Sequence, residues 1–525
     1  MRTNILLISV SMWRRSLLRS LEDHQKSQNP TSCELPSSPR LAILASAVAW
    51  GVSTALLIAQ PLLFYAGVLF NPRKHIPFDI EGFHLPVAAY IARCVREGVL
   101  PLWDPYSYCG VPIHADIQAQ LFYPVTWIAV LLGNLSTGHR LFYWIEWLVP
   151  MHMILAGLFT FVLSRHLRLS FAPALFGATV YQLGGYFASQ AQHLGAICCG
   201  AWLPLVLLCV SKLHTRPTVR WIAILAVAAA LVTLSGFPAV AAVVFGATAM
   251  LTLAWSFCTR AKWKFAAAVL CGLIVGQGLA AIQLIPTYQL ANLSVASDRA
   301  QAEGTGGGLR LQSLPSLVVP NYYHIFTPWD PAKFTLQINF TFLYIYCGLL
   351  TVVLLLLAPF LRRTPHARLF FGLTFLSAIW MLGDETPVYR MLYTHLPHLV
   401  RGSLYAAYAL MAFCVFAALT SAVVLNRIGR SAPGWLLWAM VLFTSADLLH
   451  FGSGRPMNSY PGSHKGANSE YEVAGYPGSL AHIQALVANS TPPPRVDYLA
   501  RDMFPVSWER ECLKYPPPME TIHSR

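Results

Sequence analysis

The chain has 525 residues, of which 56% are hydrophobic and 11% charged, and its formal net charge is +14. A soluble protein of this size carries about 25% charged residues, so this composition and a mean hydropathy of +0.52 exclude a water-soluble globular fold. The positive charge does not mark a nucleic-acid partner, because the basic residues fall in short loops between apolar segments, where they set topology.

Residues 1–39 read as a basic, Ser/Pro-rich cytoplasmic lead. The apolar run "ILLISVSMW" is short and precedes Arg14, Arg15 and Arg19, the wrong order for a signal peptide. Apolar runs of about 20 residues, enough to cross a bilayer, then recur. They predict spans near 41–69, 141–164, 171–188, 197–213, 219–234, 238–258, 264–286, 340–361, 368–383, 404–425 and 434–450, about eleven in all. With the amino terminus inside, the inner loops are "RHLR", "KLHTRPTVR", "TRAKWK", "RRTPHAR" and "NRIGR", every one basic. The short outer loops around "SQAQHLG" and "SGFP" have no Lys or Arg. This register requires that "FYPVTWIAVLLG" (122–133) does not span, and it reads as a re-entrant or interfacial piece.

Residues 70–140 then form a large first outer loop, with Asp79 and Glu81 at its start. Within it, "GFHLPVAAYIARCVREG" places Phe83, Val87, Tyr90, Ile91, Cys94 and Val95 on one helical stripe, with Arg93, Arg96 and Glu97 off it. That predicts an interfacial amphipathic helix ended by Gly98. Further outer loops cover 287–339 and 384–403, and 451–525 reads as an outer polar tail or a truncated domain. The eleven cysteines include no CxxC pair and no Cys/His metal spacing, although Cys94 and Cys109 share the first outer loop and could pair there.

Polar residues at span ends are informative because lipid burial is expensive. The outer side holds Asp79, Glu81, Asp104, Asp116, Gln192, His193 and Arg401, and Glu146 lies just inside an outer helix end. A carboxylate there can take a proton from an acceptor hydroxyl, and an arginine can grip a phosphate through two N–H bonds. An Asp-x-Glu pair can also hold a divalent cation. Blander roles compete: Asp79 as a helix cap, Asp104 as a turn former before proline, Arg401 as a snorkelling end residue, and Glu146 as a partner for a neighbouring helix.

The order of these features, with "GVLPLWDPYSYCGVP", "AQLFYPVTW", "LGGYFASQAQHLGAICCGAWLPLVLL", "LPSLVVPNYY" and "LGDETPVYRMLYTHLPHLVRGSLYAAY", resembles the bacterial YfhO-type membrane proteins over roughly residues 41–450. Those resemble integral-membrane glycosyltransferases of the GT-C fold. The resemblance implies an all-α, GT-C-like bundle that uses a polyprenyl-phosphate sugar donor. It implies Asp79 as catalytic base with Glu81 beside it, and Arg401 as ligand of the donor phosphate. Asp104, Asp116, Gln192, His193 and Glu146 would bind substrate, and Trp103, Gly110 and Pro112 would shape the loop. Any cation would be divalent and sit on Asp79 and Glu81. The expected setting is the bacterial inner membrane, with the carboxy terminus and an envelope glycan or other polar acceptor outside. Such proteins often continue into a substantial outer domain, whereas this chain stops at 525 after a stretch without clear pattern, which leaves acceptor recognition open. A transporter of lipid-linked substrates and a non-catalytic envelope assembly factor are the rival readings. Neither a clear internal repeat nor paired broken helices is visible to favour transport.

Overall fold

The computed structural model describes residues 39–461 except 72–73, 106–109, 136–140, 258–260, 295–306, 324–339, 362–363, 397–400, 402–403 and 456. Cys109 and most of the predicted lead and tail lie outside the described residues. The chain divides into two compact units, residues 1–51 and 52–525. Of the first, residues 39–51 are described and helical, forming the start of α1 (Pro39–Phe64).

The second unit is a multi-pass helical membrane protein. After α1 come α2 (Leu85–Glu97), α3 (Pro124–Leu135), α4 (Leu141–His166), α5 (Phe171–Leu183), α6 (Gly185–Ser189), α7 (Leu194–Thr215), α8 (Val219–Leu234) and α9 (Pro238–Ser256). They are followed by α10 (Lys262–Leu279), α11 (Ala281–Asn292), α12 (Leu349–Leu357), α13 (Pro365–Met381), α14 (Pro387–Tyr393), α15 (Leu410–Ile428) and α16 (Gly434–Gly452). Among the described residues one two-residue ladder pairs β1 (Lys74–His75) antiparallel with β2 (Tyr460–Pro461).

Burial follows from composition. Helices that are apolar all round are buried, and α7 and α15 form the centre, with almost every residue enclosed. Around them α4 packs on α5 and α7, α8 on α7 and α10, α13 on α15, and α16 on α5. Lipid provides no hydrophobic drive between helices, so small residues and polar pairs make these contacts. A Cβ on Gly157 would stand 1.8 Å from Gln182 Oε1, and one on Gly276 would stand 2.6 Å from the Ala226 carbonyl. Gln60 joins three helices: its amide donates to Ser445 Oγ (2.8 Å), and its carbonyl accepts from Thr179 Oγ1 (3.2 Å) and Gln182.

Among the described residues seven helices are long and apolar enough to cross a membrane, fewer than the eleven spans expected. The predicted spans at 219–234, 340–361 and 368–383 are apolar helices of 10–17 residues here. The predicted 171–188 span breaks at Gly184, whose backbone is extended between α5 and α6. A Cβ at Gly185 would stand 2.6 Å from the Tyr344 carbonyl, so the break lets another strand of chain lie against it. In the 340–361 region, a short 3-10 turn covers Phe340–Leu343 and the α-helix starts only at Leu349, after Gly348 at φ 96°. The Asp447 carboxylate accepts from Tyr346 O–H (2.7 and 2.8 Å) and Leu349 N–H (3.1 Å), capping that start.

The amphipathic helix is present as α2, with Leu85, Ala88, Ile91, Ala92 and Cys94 buried and Gly98 in the left-handed conformation ending it. It packs on α3 and α4. The twelve-residue α3 rises about 18 Å at 1.5 Å per residue, short of the ~30 Å hydrocarbon core, as a non-spanning piece requires.

Candidate functional site

The site begins where the chain leaves α1. Phe78 takes a left-handed φ of 68°, uncommon for a bulky residue, and its carbonyl accepts from both Glu81 N–H (2.9 Å) and Gly82 N–H (2.7 Å). The turn runs into a five-residue π-helix, Ile80–His84, with Asp79 at its N-cap. Pro86 supplies a local cause. It has no N–H for the Gly82 carbonyl and its ring crowds that position, so the turn before α2 opens to the wider π spacing. Such π turns concentrate at functional sites.

This turn is anchored from behind. Ile76 N–H donates to Glu146 Oε1 at 2.8 Å, and Glu146 is fully buried near the start of α4. His75 Nε2 lies 3.2 Å from Glu81 Oε2. The two acids therefore diverge. Glu81 turns back to buried His75, whereas Asp79 Oδ2 lies 3.7 Å from His193 Nε2.

His193 precedes α7, in the tight connection after α6. Its Nδ1 is 2.7 Å from Gln190 Oε1, while the Gln190 amide nitrogen donates to Ser189 Oγ (3.0 Å) and Thr341 Oγ1 (3.2 Å). These contacts hold the ring with Nε2 turned toward Asp79. Burial lowers the His193 pKa, against the opposing pull of the Asp79 charge. His84, half-buried nearby, is drawn down to about 3 by burial and by His193. Both imidazoles are thus neutral near pH 7. Phe237 packs edge-on to His193 at 6.0 Å and to Tyr408 at 5.5 Å, forming an aromatic wall. Asp79 is about half exposed and His193 mostly covered, at 55% and 18% of their side-chain areas. The result is a wet carboxylate beside a sheltered, oriented imidazole, an arrangement suited to accepting a proton from a hydroxyl placed between them.

The other expected residues make contacts of their own in the surrounding loops. Asp104 is buried in a backbone bridge with Val111. Between them the Trp103 ring fills the space a Cβ on Gly110 would occupy, 2.6 Å away, and Gly110 has φ 115°. Asp116 caps the turn Ile117–Ala119 by accepting from Gln118 N–H, and burial raises its pKa against that hydrogen bond. Gln192 Nε2 is 3.5 Å from His193 Nδ1. Arg401 is half-buried, its carbonyl accepting from Tyr393 O–H at 2.6 Å, and it forms no hydrogen bond or ion pair with Asp79 or His193. Among the described residues no group of three or more His, Cys, Asp or Glu side chains is placed to hold a metal ion.

The loop is also pinned to the bundle. Gln120 donates to the Ser235 carbonyl and accepts from Thr126 Oγ1 (2.9 Å). Gln283 and Thr287 of α11 donate to the carbonyls of His114 (3.1 Å) and Ala115 (2.8 Å). Tyr123 O–H meets His152 Nε2 at 2.7 Å and accepts from Trp202 Nε1 at 2.8 Å. His75, His84 and Gln190 were not singled out from the sequence. The signal for Gln190 and His193 was their shared loop "SQAQHLG", polar and bounded by apolar helices.

No protein-family model matches the chain, and no curated protein matches it.

Proposed function

We propose that the chain is a membrane glycosyltransferase. It moves a sugar from a polyprenyl-phosphate carrier to a polar cell-envelope acceptor at the outer face of the bacterial inner membrane. The observation that supports this most is the Asp79–His193 pair, at 3.7 Å, on the turn that follows the first span. In this reading the acceptor hydroxyl gives its proton to Asp79 as its oxygen bonds to the sugar's anomeric carbon. The carbon–oxygen bond to the carrier phosphate breaks, the lipid phosphate leaves with the electron pair, and the anomeric configuration inverts. His193, held by Gln190, lines the same space beside Asp79. Glu81, bound to His75, positions the turn.

The sidedness rests on helix direction. Glu146, near the start of α4, holds Ile76, three residues before Asp79, whereas Arg165 lies in the last turn of α4; His193 precedes α7, whereas Lys212 lies in its last turn. Basic groups therefore collect at the end away from Asp79, as the positive-inside rule requires of a cytoplasmic face. The reading is tested in membranes supplied with labelled polyprenyl-phosphate sugars. Asp79→Asn keeps size but accepts no proton, and should lower transfer by about 10²–10⁴-fold while the protein still inserts. Near-full transfer by Asp79→Asn would remove the base assignment, and no transfer by the wild type with any such donor would remove the enzyme reading.

A further inference from the structure

Arg455 follows α16 by three residues and is only 7% exposed. One face of its guanidinium stacks on the Tyr344 ring, 3.8 Å from the centroid. Its Nη2 reaches Asn321 Oδ1 at 3.4 Å and Met457 Sδ at 4.0 Å. Nε and Nη1 meet no acceptor among the described residues. A guanidinium carries five N–H bonds; one on Nε and two on Nη1 are therefore unanswered. No carboxylate among the described residues forms an ion pair with it, and the nearest acid along the chain, Asp447, is taken up by Tyr346 and Leu349.

The surroundings repeat this pattern. The Tyr65 hydroxyl, close enough for Arg455 to act on its charge, is buried without a partner. So are Ser459 Oγ and Asn458 Oδ1, on the turn in which both backbone amides donate to the Arg455 carbonyl (2.9 and 2.8 Å). Ser459 Oγ lies against Gly67, two residues beyond Tyr65. A buried charge is retained when something pairs with it, and no acceptor among the described residues answers these N–H bonds. Three guanidinium N–H bonds and two hydroxyls match an oxyanion that only accepts, and Asn458 Oδ1 remains for a ligand hydroxyl. Arginine's planar fork and weak hydration suit phosphate in particular.

We propose that Arg455, with Tyr65 and Ser459, binds the phosphate group of a phosphate-bearing amphiphile beside the end of the first span. Naming that amphiphile as the sugar carrier rests on the transfer reading above; the binding itself does not. The assay uses the full chain in a phosphate-free maltoside detergent and follows its unfolding temperature against inorganic phosphate, farnesyl phosphate and farnesol. Farnesyl phosphate should stabilise the wild type at a concentration at least about tenfold below that needed for inorganic phosphate, with no effect of farnesol. Equal potency of the two phosphates would keep the site and assign it to free phosphate. Arg455→Met should abolish the response. Tyr65→Phe, which keeps the ring, should raise the half-saturating concentration by roughly five- to tenfold. If Arg455→Met fails to fold, Tyr65→Phe combined with Ser459→Ala decides, and an unchanged half-saturation overturns the proposal. No response of the wild type to either phosphate, or the same response in Arg455→Met, also overturns it. Because no turnover is measured, farnesyl phosphate binding without sugar transfer would count against the transfer reading alone.

Discussion

Glu146 is the most exacting test of how the Asp79 turn is held. Its carboxylate accepts from Ile76 N–H at 2.8 Å, and both residues are fully buried. Glu146→Leu fills much of the same volume but offers no acceptor, leaving a backbone N–H in an apolar setting. A hydrogen bond to a charged group is worth about 1.5–3 kcal/mol, so local opening of the 74–84 segment should become roughly 10–150-fold easier. Glu146→Gln retains an acceptor oxygen and should recover most of the protection. Hydrogen exchange with mass spectrometry on the peptide covering 74–84 reads this directly, and the α15 peptides, buried elsewhere in the bundle, serve as internal controls. Unchanged protection of that peptide in Glu146→Leu would mean that the contact does not anchor the turn. Equal loss in Glu146→Gln would mean that charge, not the acceptor, matters.

Two predictions concern stability. His84, drawn down to about 3, and His193 are kept neutral by burial, so an unfolded chain takes up protons below the ordinary histidine value of about 6.5 before the folded one does. The His84 contribution is fully present above that pH and is lost as pH falls toward about 3, by at most about 1.4 kcal/mol per pH unit, and His193 acts in the same direction; an unfolding temperature that does not fall between pH 7 and 5 in wild type relative to His84→Gln would contradict this. Gly276→Ala places a methyl 2.6 Å from the Ala226 carbonyl at the α8–α10 contact, whereas Gly278→Ala on the same helix meets nothing within 4 Å. The first should destabilise by about 1–3 kcal/mol and the second should be neutral or stabilising by up to about 1 kcal/mol, compared by thermal unfolding in detergent.

What the sequence revealed follows from how local each signal is. Apolar runs, the amphipathic α2 and the Gly98 stop depend on neighbours a turn apart: the helix and its stop are present, seven of the eleven expected spans are long enough to cross, and the buried face of α2 shares only Ile91 and Cys94 with the predicted stripe, taking Leu85, Ala88 and Ala92 instead. Trp103 and Gly110 were read as loop architecture, and the ring does occupy the glycine's missing side chain. The break at Gly184 was hidden because "LGGYFAS" is uniformly apolar, and the reason for the break is a chain segment some 160 residues away, at Tyr344. Asp79 and His193 were both chosen from the sequence, but as separate members of an outer face; only the fold brings them within 3.7 Å. Glu81 was read as a partner of Asp79 because the two are adjacent but one, yet the π turn sends it to His75 instead. Arg455 looked like an ordinary residue of a polar tail, because burial of a guanidinium leaves no local trace.

The β1–β2 ladder pairs the segment before Asp79 with the segment after Arg455. Its register sets Lys74 against Pro461 and His75 against Tyr460. Proline has no N–H, and antiparallel pairs alternate between bonded and non-bonded, so His75 and Tyr460 form the hydrogen-bonded pair. Tyr460→Pro removes the donor to the His75 carbonyl without touching the Glu146 or Glu81 contacts. One neutral hydrogen bond contributes about 1 kcal/mol, which predicts a roughly fivefold gain in exchange for the 74–84 peptide, well below the effect of Glu146→Leu. Because His75 also carries Glu81, the same change should loosen the turn that presents Asp79. Any sugar transfer should then fall less than in Asp79→Asn. An exchange gain in Tyr460→Pro as large as that in Glu146→Leu would show that the ladder, not the buried carboxylate, is the principal anchor of the turn.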